Sequence, residues 1–242
     1  MGGKLFIVPT PVGNLADMAP RAIEVLRQCS LILCEDTRTS GNLLRHFDIT
    51  TPTSSFHKFN EHATLDTVIR RLEEGERMAL ISDAGTPGIS DPGFLLTREC
   101  RRRAISVETL PGPTAFVPAL VNSGLPCERF CFEGFLPPKK GRASRISSIA
   151  ESELTTIIYE SPLRIVKTLT QLAEACGHAR QASVSREISK MHDQTVRGTL
   201  GELIDYFTEN IPRGEFVIVL GGKEGAALRE HRNKFRALPD EE

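Results

Sequence analysis

The chain contains no apolar run approaching the roughly 20 residues that cross a bilayer, which excludes an ordinary membrane-spanning helix. Its start, Met1-Gly2-Gly3-Lys4, leads directly into Leu5-Phe6-Ile7-Val8. There is no charged leader region, long apolar segment or small-residue cleavage site, so the opening reads as a first core strand and not as a secretion signal. Phe6 stands where an N-myristoylation motif requires Ser or Thr. Charge of either sign is not in excess: 30 Lys and Arg stand against 31 Asp and Glu, a formal net charge of −1. The global basic footprint of a strong nucleic-acid binder is therefore absent, and contact with a polyanion has to come from local patches. Six cysteines are present, but Cys127 and Cys131 lack a second Cys or His pair at zinc spacing. Cys29, Cys34, Cys100 and Cys176 lie in or beside apolar segments, where a free thiol behaves as a small buried hydrophobe. Reduced thiols and no metal are expected, in a cytosolic compartment. His57 and His62 lack a third ligand and read as solvated or capping side chains.

What the 242 residues do contain is alternation. Leu5–Val8, Leu31–Cys34, Met78–Ile81 and Ser106–Leu110 are short apolar or β-rich runs. Between them lie helical stretches: Pro20–Cys29, about Ser40–Phe47, the Leu65/Val68/Ile69/Leu72 stripe at i, i+3, i+4 and i+7, a segment opened by Asp91-Pro92, and Pro113–Asn122. This pattern predicts a mostly parallel sheet covered on both faces. Gly124, Pro126, Pro137, Pro138 and Gly141 then punctuate the chain, with a short strand near Phe130-Cys131-Phe132. A second α/β region follows, with strands at Thr155–Tyr159, Ala182–Arg186, Thr195–Val196 and Phe216–Leu220. The expected organisation is an N-terminal α/β domain over 1–122, a C-terminal α/β domain over 123–222 and a charged tail over 223–242.

Ligands of open α/β sheets bind outside the carboxyl ends of the strands. Three loops occupy such positions: Pro9–Asn14, Ser82–Ser90 and Pro111–Ala115. Gly85, Gly88 and Gly112 allow close backbone approach, Ser90 and Thr114 add hydroxyls, and Asp83 can accept from an amine or a ribose hydroxyl. Any one of these loops could be no more than a tight turn, but three at successive strand ends point to a ligand. No Gly-x-x-x-x-Gly-Lys-Ser/Thr, no Gly-x-Gly-x-x-Gly after the first strand and no Gly-x-Ser-x-Gly occurs, so a P-loop, an ordinary dinucleotide fold and a nucleophile elbow are disfavoured. A phosphate-free ligand such as S-adenosylmethionine suits loops that offer backbone groups and no lysine. A fourth loop, Glu35-Asp36-Thr37-Arg38-Thr39-Ser40, either caps the next helix or adds charged groups to the site.

Seven motifs then occur in order. They are Val8-Pro9-Thr10-Pro11-Val12-Gly13-Asn14-Leu15, Cys34-Glu35-Asp36-Thr37-Arg38, Ser82-Asp83-Ala84-Gly85-Thr86-Pro87, Leu110-Pro111-Gly112-Pro113-Thr114-Ala115, Phe132-Glu133-Gly134-Phe135-Leu136-Pro137, Tyr159-Glu160-Ser161 and Ser185-Arg186-Glu187. Together, from about residue 5 to residue 222, they closely resemble the ribosomal RNA methyltransferases of the tetrapyrrole (class III) methylase superfamily. The resemblance implies two α/β domains with the S-adenosylmethionine cleft between them, a homodimer, and 2′-O-methylation of a cytidine ribose in 16S rRNA of the small ribosomal subunit. It also implies cofactor contacts at Val12, Thr86, Ile89, Thr114, Ala115 and Tyr159, beside Asp83 and Gly85. Phe56-His57-Lys58-Phe59-Asn60-Glu61 is a looser version of the family's His- and Asn-rich segment.

Methyl transfer to a ribose hydroxyl needs alignment and a base or polarising cation. Asp36, Glu160 and Glu187 are candidate bases, and Arg38, Arg186 and Lys190 candidate positioners; Glu187 with Lys190 could equally be a surface ion pair. Lys139, Lys140 and Arg142, with Arg145, form a basic patch suited to RNA phosphates, as Arg38 and Arg186 also are. A second cluster comprises Arg229, Arg232, Lys234 and Arg236. Either run could instead be solvated surface. Two further readings stay open: a tetrapyrrole C-methyltransferase of the same fold, and a non-catalytic RNA- or ribosome-binding module.

Overall fold

The computed structural model describes residues 2–223; the tail cluster expected at Arg229–Arg236 lies outside the described residues. The chain forms two compact units, one of residues 1–119 with 185–194, the other of 120–184 with 195 onward. The division is not the single cut expected near residue 122, because Ser185–Gln194 groups with the first unit. Part of the reason is local: a Cβ on Gly13 would lie 2.4 Å from the Lys190 Cγ and 3.0 Å from the Ile188 carbonyl oxygen, so the two segments touch backbone to side chain.

The first unit holds five strands, β1 (Lys4–Ile7), β2 (Leu31–Cys34), β3 (Thr53–Ser55), β4 (Arg77–Ile81) and β5 (Ser106–Thr109), in the order β3-β2-β4-β1-β5. All its pairings are parallel. Four helices, α1 (Pro20–Gln28), α2 (Thr37–His46), α3 (Glu61–Glu73) and α4 (Phe94–Arg102), connect them. Side chains alternate across a strand, and here each alternate set enters a different core. Phe6, Ile32, Cys34, Ala79 and Ile81 pack with Ala22, Val25, Leu26 and Leu44 of α1 and α2. Leu5, Ile7, Leu31, Leu33, Met78 and Leu80 pack with Val68, Ile69 and Leu72 of α3 and with Leu96 and Cys100 of α4. Burial on both faces is why these strands read as unbroken apolar runs.

Two helix starts differ from expectation. Helix α2 begins at Thr37, because Asp36, not a later hydroxyl, accepts the Arg38 backbone N–H at 2.8 Å as N-cap. Helix α4 begins after Gly93 and not at Asp91-Pro92; Gly93 has φ +138, and a Cβ there would meet Leu80 Cδ2 at 2.9 Å. The three-residue strand β3 carries no alternation long enough to see in the sequence.

Helix α5 (Phe116–Ser123) begins in the first unit and ends in the second. The second unit continues with β6 (Phe130–Phe135), α6 (Arg142–Glu151), β7 (Thr155–Glu160), α7 (Ile165–Cys176), β8 (Gln181–Arg186), β9 (Gln194–Thr199), α8 (Leu200–Glu209) and β10 (Phe216–Leu220). Its sheet, ordered β6-β7-β10-β8-β9, is mixed: β6 and β7 run parallel with a bulge between Phe132 and Gly134, and β7 and β10 run antiparallel. Helix α6 was not anticipated, since its Ser-rich sequence carries only Ile146, Ile149 and Ala150 as buried apolar residues. None of the described helices is long and apolar enough to cross a membrane.

Helix α8 opens on a complete capping box, with Thr199 Oγ1 accepting from the Glu202 N–H at 3.2 Å and the Glu202 carboxylate accepting from the Thr199 N–H at 2.7 Å. Replacing Thr199 by Ala is expected to cost about 1 kcal/mol, read as a lower urea midpoint with an unchanged slope.

Candidate active site

The carboxyl ends of β1, β4 and β5 are laced together before any ligand is considered. Thr10 and Gly85 form an antiparallel bridge, each N–H donating to the other's carbonyl at 2.9 Å. The fully buried Thr10 hydroxyl also donates to the Ser82 carbonyl at 3.0 Å. Gly85 has φ +83, a conformation that favours glycine, although the space around its missing Cβ is open to ordinary contact with Val12 and Pro113. At Gly112 the reason for glycine is different: a Cβ would lie 2.7 Å from that of Pro9.

Thr86 then ties the β4 loop to the β5 loop. Its hydroxyl donates to the Pro113 carbonyl at 2.9 Å, and with its only proton so used it accepts from the Thr114 hydroxyl at 2.6 Å. The structure thus gathers Val12, Asp83, Gly85, Thr86, Ile89, Thr114 and Ala115 on three adjoining loops of the first unit. Tyr159 belongs to the second unit, where its ring stands edge-on to Phe132 and Phe135 at centroid separations of 5.1 and 5.6 Å.

The β2 loop joins the same edge, the Asp36 N–H donating to Asp83 Oδ1 at 3.3 Å. Asp36 itself is committed to helix α2 and to Arg38, whose guanidinium donates to both its oxygens at 3.2 and 2.9 Å. These bonds lower the Asp36 carboxyl from its ordinary 3.8 to about 2. Because the folded value is depressed, the associated stabilisation is complete above the ordinary range and is lost as pH falls toward 2. A carboxylate held that low is a weak proton acceptor. Its neighbours move the other way. Burial, then the nearby Asp83 charge, raises the Glu35 carboxyl, with His57 opposing; desolvation raises Asp83, and the Asp36 charge adds to it. From the sequence Glu35 belongs to a loop that either caps a helix or adds charge to the site, and nothing short of the parallel sheet order brings it beside Asp83.

The other expected bases and cations are placed differently. Glu160 is buried in the second unit and accepts from Thr168 Oγ1 at 2.7 Å, the Ser161 N–H at 2.7 Å and Arg164 Nη2 at 2.8 Å. Its oxygens are engaged by the fold, so it anchors the end of β7 and is not poised as a base. Arg142, expected on an RNA-binding patch, is corrected by the structure: it is 7 % exposed, and donates to Gln171 Oε1, Thr168 Oγ1 and the Pro137 carbonyl at 2.8, 2.6 and 3.3 Å. Arg145 pairs with Glu133 at 3.1 Å. Lys139 and Lys140 stay exposed. Glu187 accepts from Lys190 Nζ at 3.0 Å. Arg38 is exposed apart from its Asp36 contact, and Arg186 is half-buried with its Nε enclosed and without a hydrogen-bond partner.

Comparison with known proteins matches residues 4–204 to the family model described as tetrapyrrole (corrin/porphyrin) methylases. The chain belongs to the tetrapyrrole methylase family. Among curated relatives, the ribosomal RNA small subunit methyltransferase I of Synechocystis is 49 % identical over 234 residues, 96 % of this chain and 82 % of that protein. The protein of the same name from Thermotoga maritima is 42 % identical over 222 residues, 92 % of this chain and 100 % of its own. Among solved structures, uroporphyrin-III-C-methyltransferase from Thermus thermophilus superposes with a TM-score of 0.65 at 18 % identity, over 90 % of this chain and 94 % of that one. The cobalt precorrin-4 methyltransferase CbiF gives 0.64 at 16 % identity, over the same shares. This tetrapyrrole methylase is thus a methyltransferase by family, with the fold of its corrin and porphyrin relatives.

Backbone conformation and buried hydrogen bonds set the expected effects of three substitutions. Gly85→Ala is expected to lose about 1–2 kcal/mol from the left-handed backbone alone, read as a lower melting temperature. Arg142→Ala is expected to lose about 3 kcal/mol, because it strips a guanidinium from a buried carboxylate network. Lys139→Ala should stay within about 0.5 kcal/mol of the parent; equal losses at both positions would show that Arg142 is not structural.

Proposed function

We propose that this methyltransferase transfers the methyl group of S-adenosylmethionine to the ribose 2′-hydroxyl of a cytidine in 16S rRNA of the small ribosomal subunit. The observation that carries the reading is the laced edge of the first sheet, where glycine-bearing loops without Lys or Arg adjoin carboxylates of raised proton affinity. The names and high identity of the relatives supply the class of acceptor.

The donor set fits the cofactor. Backbone near Gly85 and Gly112 can approach an adenosine closely, Asp83 can accept from a ribose hydroxyl or the amino group, and no cation in Pro9–Asn14, Ser82–Ser90 or Pro111–Ala115 calls for a phosphate. Val12, Thr86, Ile89, Thr114 and Ala115 would complete the contacts. Bound S-adenosylmethionine supplies an electrophilic methyl carbon on a sulfonium. The protein then has to orient a ribose hydroxyl in line with it, a task for which proximity can supply several of the roughly 7–11 kcal/mol available to well-aligned reactants. Glu35 would take the proton of that hydroxyl, with Asp83 holding the Glu35 proton affinity up, while Asp36 and Arg38 keep the β2 loop in place. Exposed Lys139 and Lys140 provide phosphate contacts of the kind RNA requires. The same reading places the protein in the cytoplasm as a homodimer.

The deciding assay incubates the purified chain with labelled S-adenosylmethionine and small-subunit particles lacking the modification. Label on a ribose 2′-oxygen is expected; transfer to no RNA, or to a tetrapyrrole instead, would sink the proposal. Gly85→Val should abolish calorimetric S-adenosylmethionine binding. Glu35→Gln should lower kcat by about 10²–10⁴-fold, the range of general-base contributions, at unchanged cofactor affinity. In the parent the acid limb of kcat should lie above the ordinary carboxylate range, since the base must be ionised and its pKa is raised. Asp83→Asn should move that limb to lower pH by removing a neighbouring negative charge.

A further inference from the structure

The turn after β3 displays a side chain for which the fold has no use. Phe56 is fully buried at its root, whereas Phe59, three residues on, is 95 % exposed. The backbone between them is tightly held. Asn60 Oδ1 accepts from the His57 N–H at 2.8 Å, and Asn60 Nδ2 donates to the Ser55 carbonyl at 3.1 Å. The Asn60 and Glu61 N–H groups donate to the His57 carbonyl at 3.0 and 2.9 Å, and the Phe59 N–H donates to His57 Nδ1 at 3.2 Å. The His57 ring stands edge-on to the Phe59 ring with centroids 6.1 Å apart. The main chain that presents the ring is thus held in advance and has little freedom left to lose on binding.

Isolated exposed apolar residues are common on protein surfaces, so exposure alone decides nothing. Three further observations do. The turn leaves the carboxyl end of β3, on the edge that carries the laced loops, and its His57 acts electrostatically on Glu35. Exposed Lys58 adjoins the ring in sequence, pairing a phosphate-binding cation with a flat apolar face. Among the described residues the other nearly fully exposed apolar side chains, Leu163 and Met191, are aliphatic, and the next most exposed aromatic ring, Phe94, is 66 % exposed and already carries the Arg98 guanidinium over its face. One ring beside one cation is too small for the apolar centre of a protein interface and matches the face of one nucleobase with its phosphate.

We propose that Phe59 is a stacking platform for an unpaired base of the RNA acceptor, with Lys58 on an adjoining phosphate. The inference rests on the RNA reading above and adds to it a residue that sets how the acceptor is seated. The parent chain contains no tryptophan, so Phe59→Trp introduces a single fluorophore at the platform. Titrating that full-length variant with a single-stranded cytidine hexaribonucleotide should quench its fluorescence saturably, and more weakly at higher salt. No quenching at any concentration would overturn the platform. In methyl transfer to small-subunit particles, Phe59→Ala should raise KM about tenfold, in keeping with the loss of one base–aromatic stack. Phe59→Tyr should restore it, and cofactor affinity should be unchanged in both. A KM equal to the parent's in Phe59→Ala would also overturn the proposal. So would a loss of self-association by sedimentation in that variant, which would assign the ring to a contact between copies. The fluorescence titration needs no turnover, so it decides the platform even if the parent methylates no RNA.

Discussion

Two hydrogen bonds between Thr10 and Gly85 hold the β1 and β4 loops to each other, and the remainder of the candidate site is built outward from that pair. A parallel sheet ends its strands with backbone groups pointing into whatever lies beyond, and those groups need partners. Here the loops satisfy one another. Thr10 is buried so completely that its hydroxyl must also be paired, which Ser82 accomplishes, and the left-handed turn at Gly85 lets both bonds close. Once β1 and β4 are locked, Thr86 reaches the β5 loop and Asp83 receives the β2 loop. A loop edge laced this way is set by the scaffold, and its geometry needs no ligand to exist. Such preorganisation suits a reaction whose main demand on the protein is alignment.

The charged residues divide by the same criterion of how many partners each already has. Glu160 accepts three hydrogen bonds in the core of the second unit, and Arg142 donates three beside it. Their polar capacity is committed: both bond the Thr168 hydroxyl and their charges lie 4.0 Å apart, so removing either disturbs the network around the other in a low-dielectric interior. Asp36 is spent on a helix cap and on Arg38. Glu35 and Asp83 differ: they sit near one another, partly desolvated, and the opposing effects of His57 on Glu35 and of the Asp36 N–H on Asp83 are the smaller ones. Like charge and burial then raise their proton affinity, which strengthens a base and costs stability.

Much of this architecture was legible in the residues. The unbroken apolar runs of β1, β2 and β4 reveal strands buried on both faces, and the glycine-bearing loops after β1, β4 and β5 mark the candidate site's edge. Resemblance to a family located Thr86 and Thr114, although not the hydroxyl pair they make. What stayed hidden depends on distances that sequence does not encode. Arg142 sits in a run of basic residues, and only the folding of α6 against α7 shows that it points into a network with Thr168 and Gln171. The positive side of that segment is consequently smaller than its composition implies, with Lys139 and Lys140 left to face solvent. Glu35 was equally opaque, since 48 residues of chain separate it from Asp83 and the order β2-β4 closes the gap.

A chain with a net charge of −1 presents positive potential only where its cations are not cancelled locally. Counting them shows how selective this one is. Arg21 and Lys4 pair with Glu108, Arg71 with Glu76, Arg103 with Glu73 and Glu99, and Arg145 with Glu133. Each of these pairs cancels a positive charge locally and contributes little to long-range attraction. Lys58, Lys139, Lys140 and Lys167 are exposed and stand outside these pairs, so their charge is not cancelled in this way. A surface of this kind exerts only weak, unselective attraction on polyanions, so discrimination between ligands has to come from shape and specific contacts.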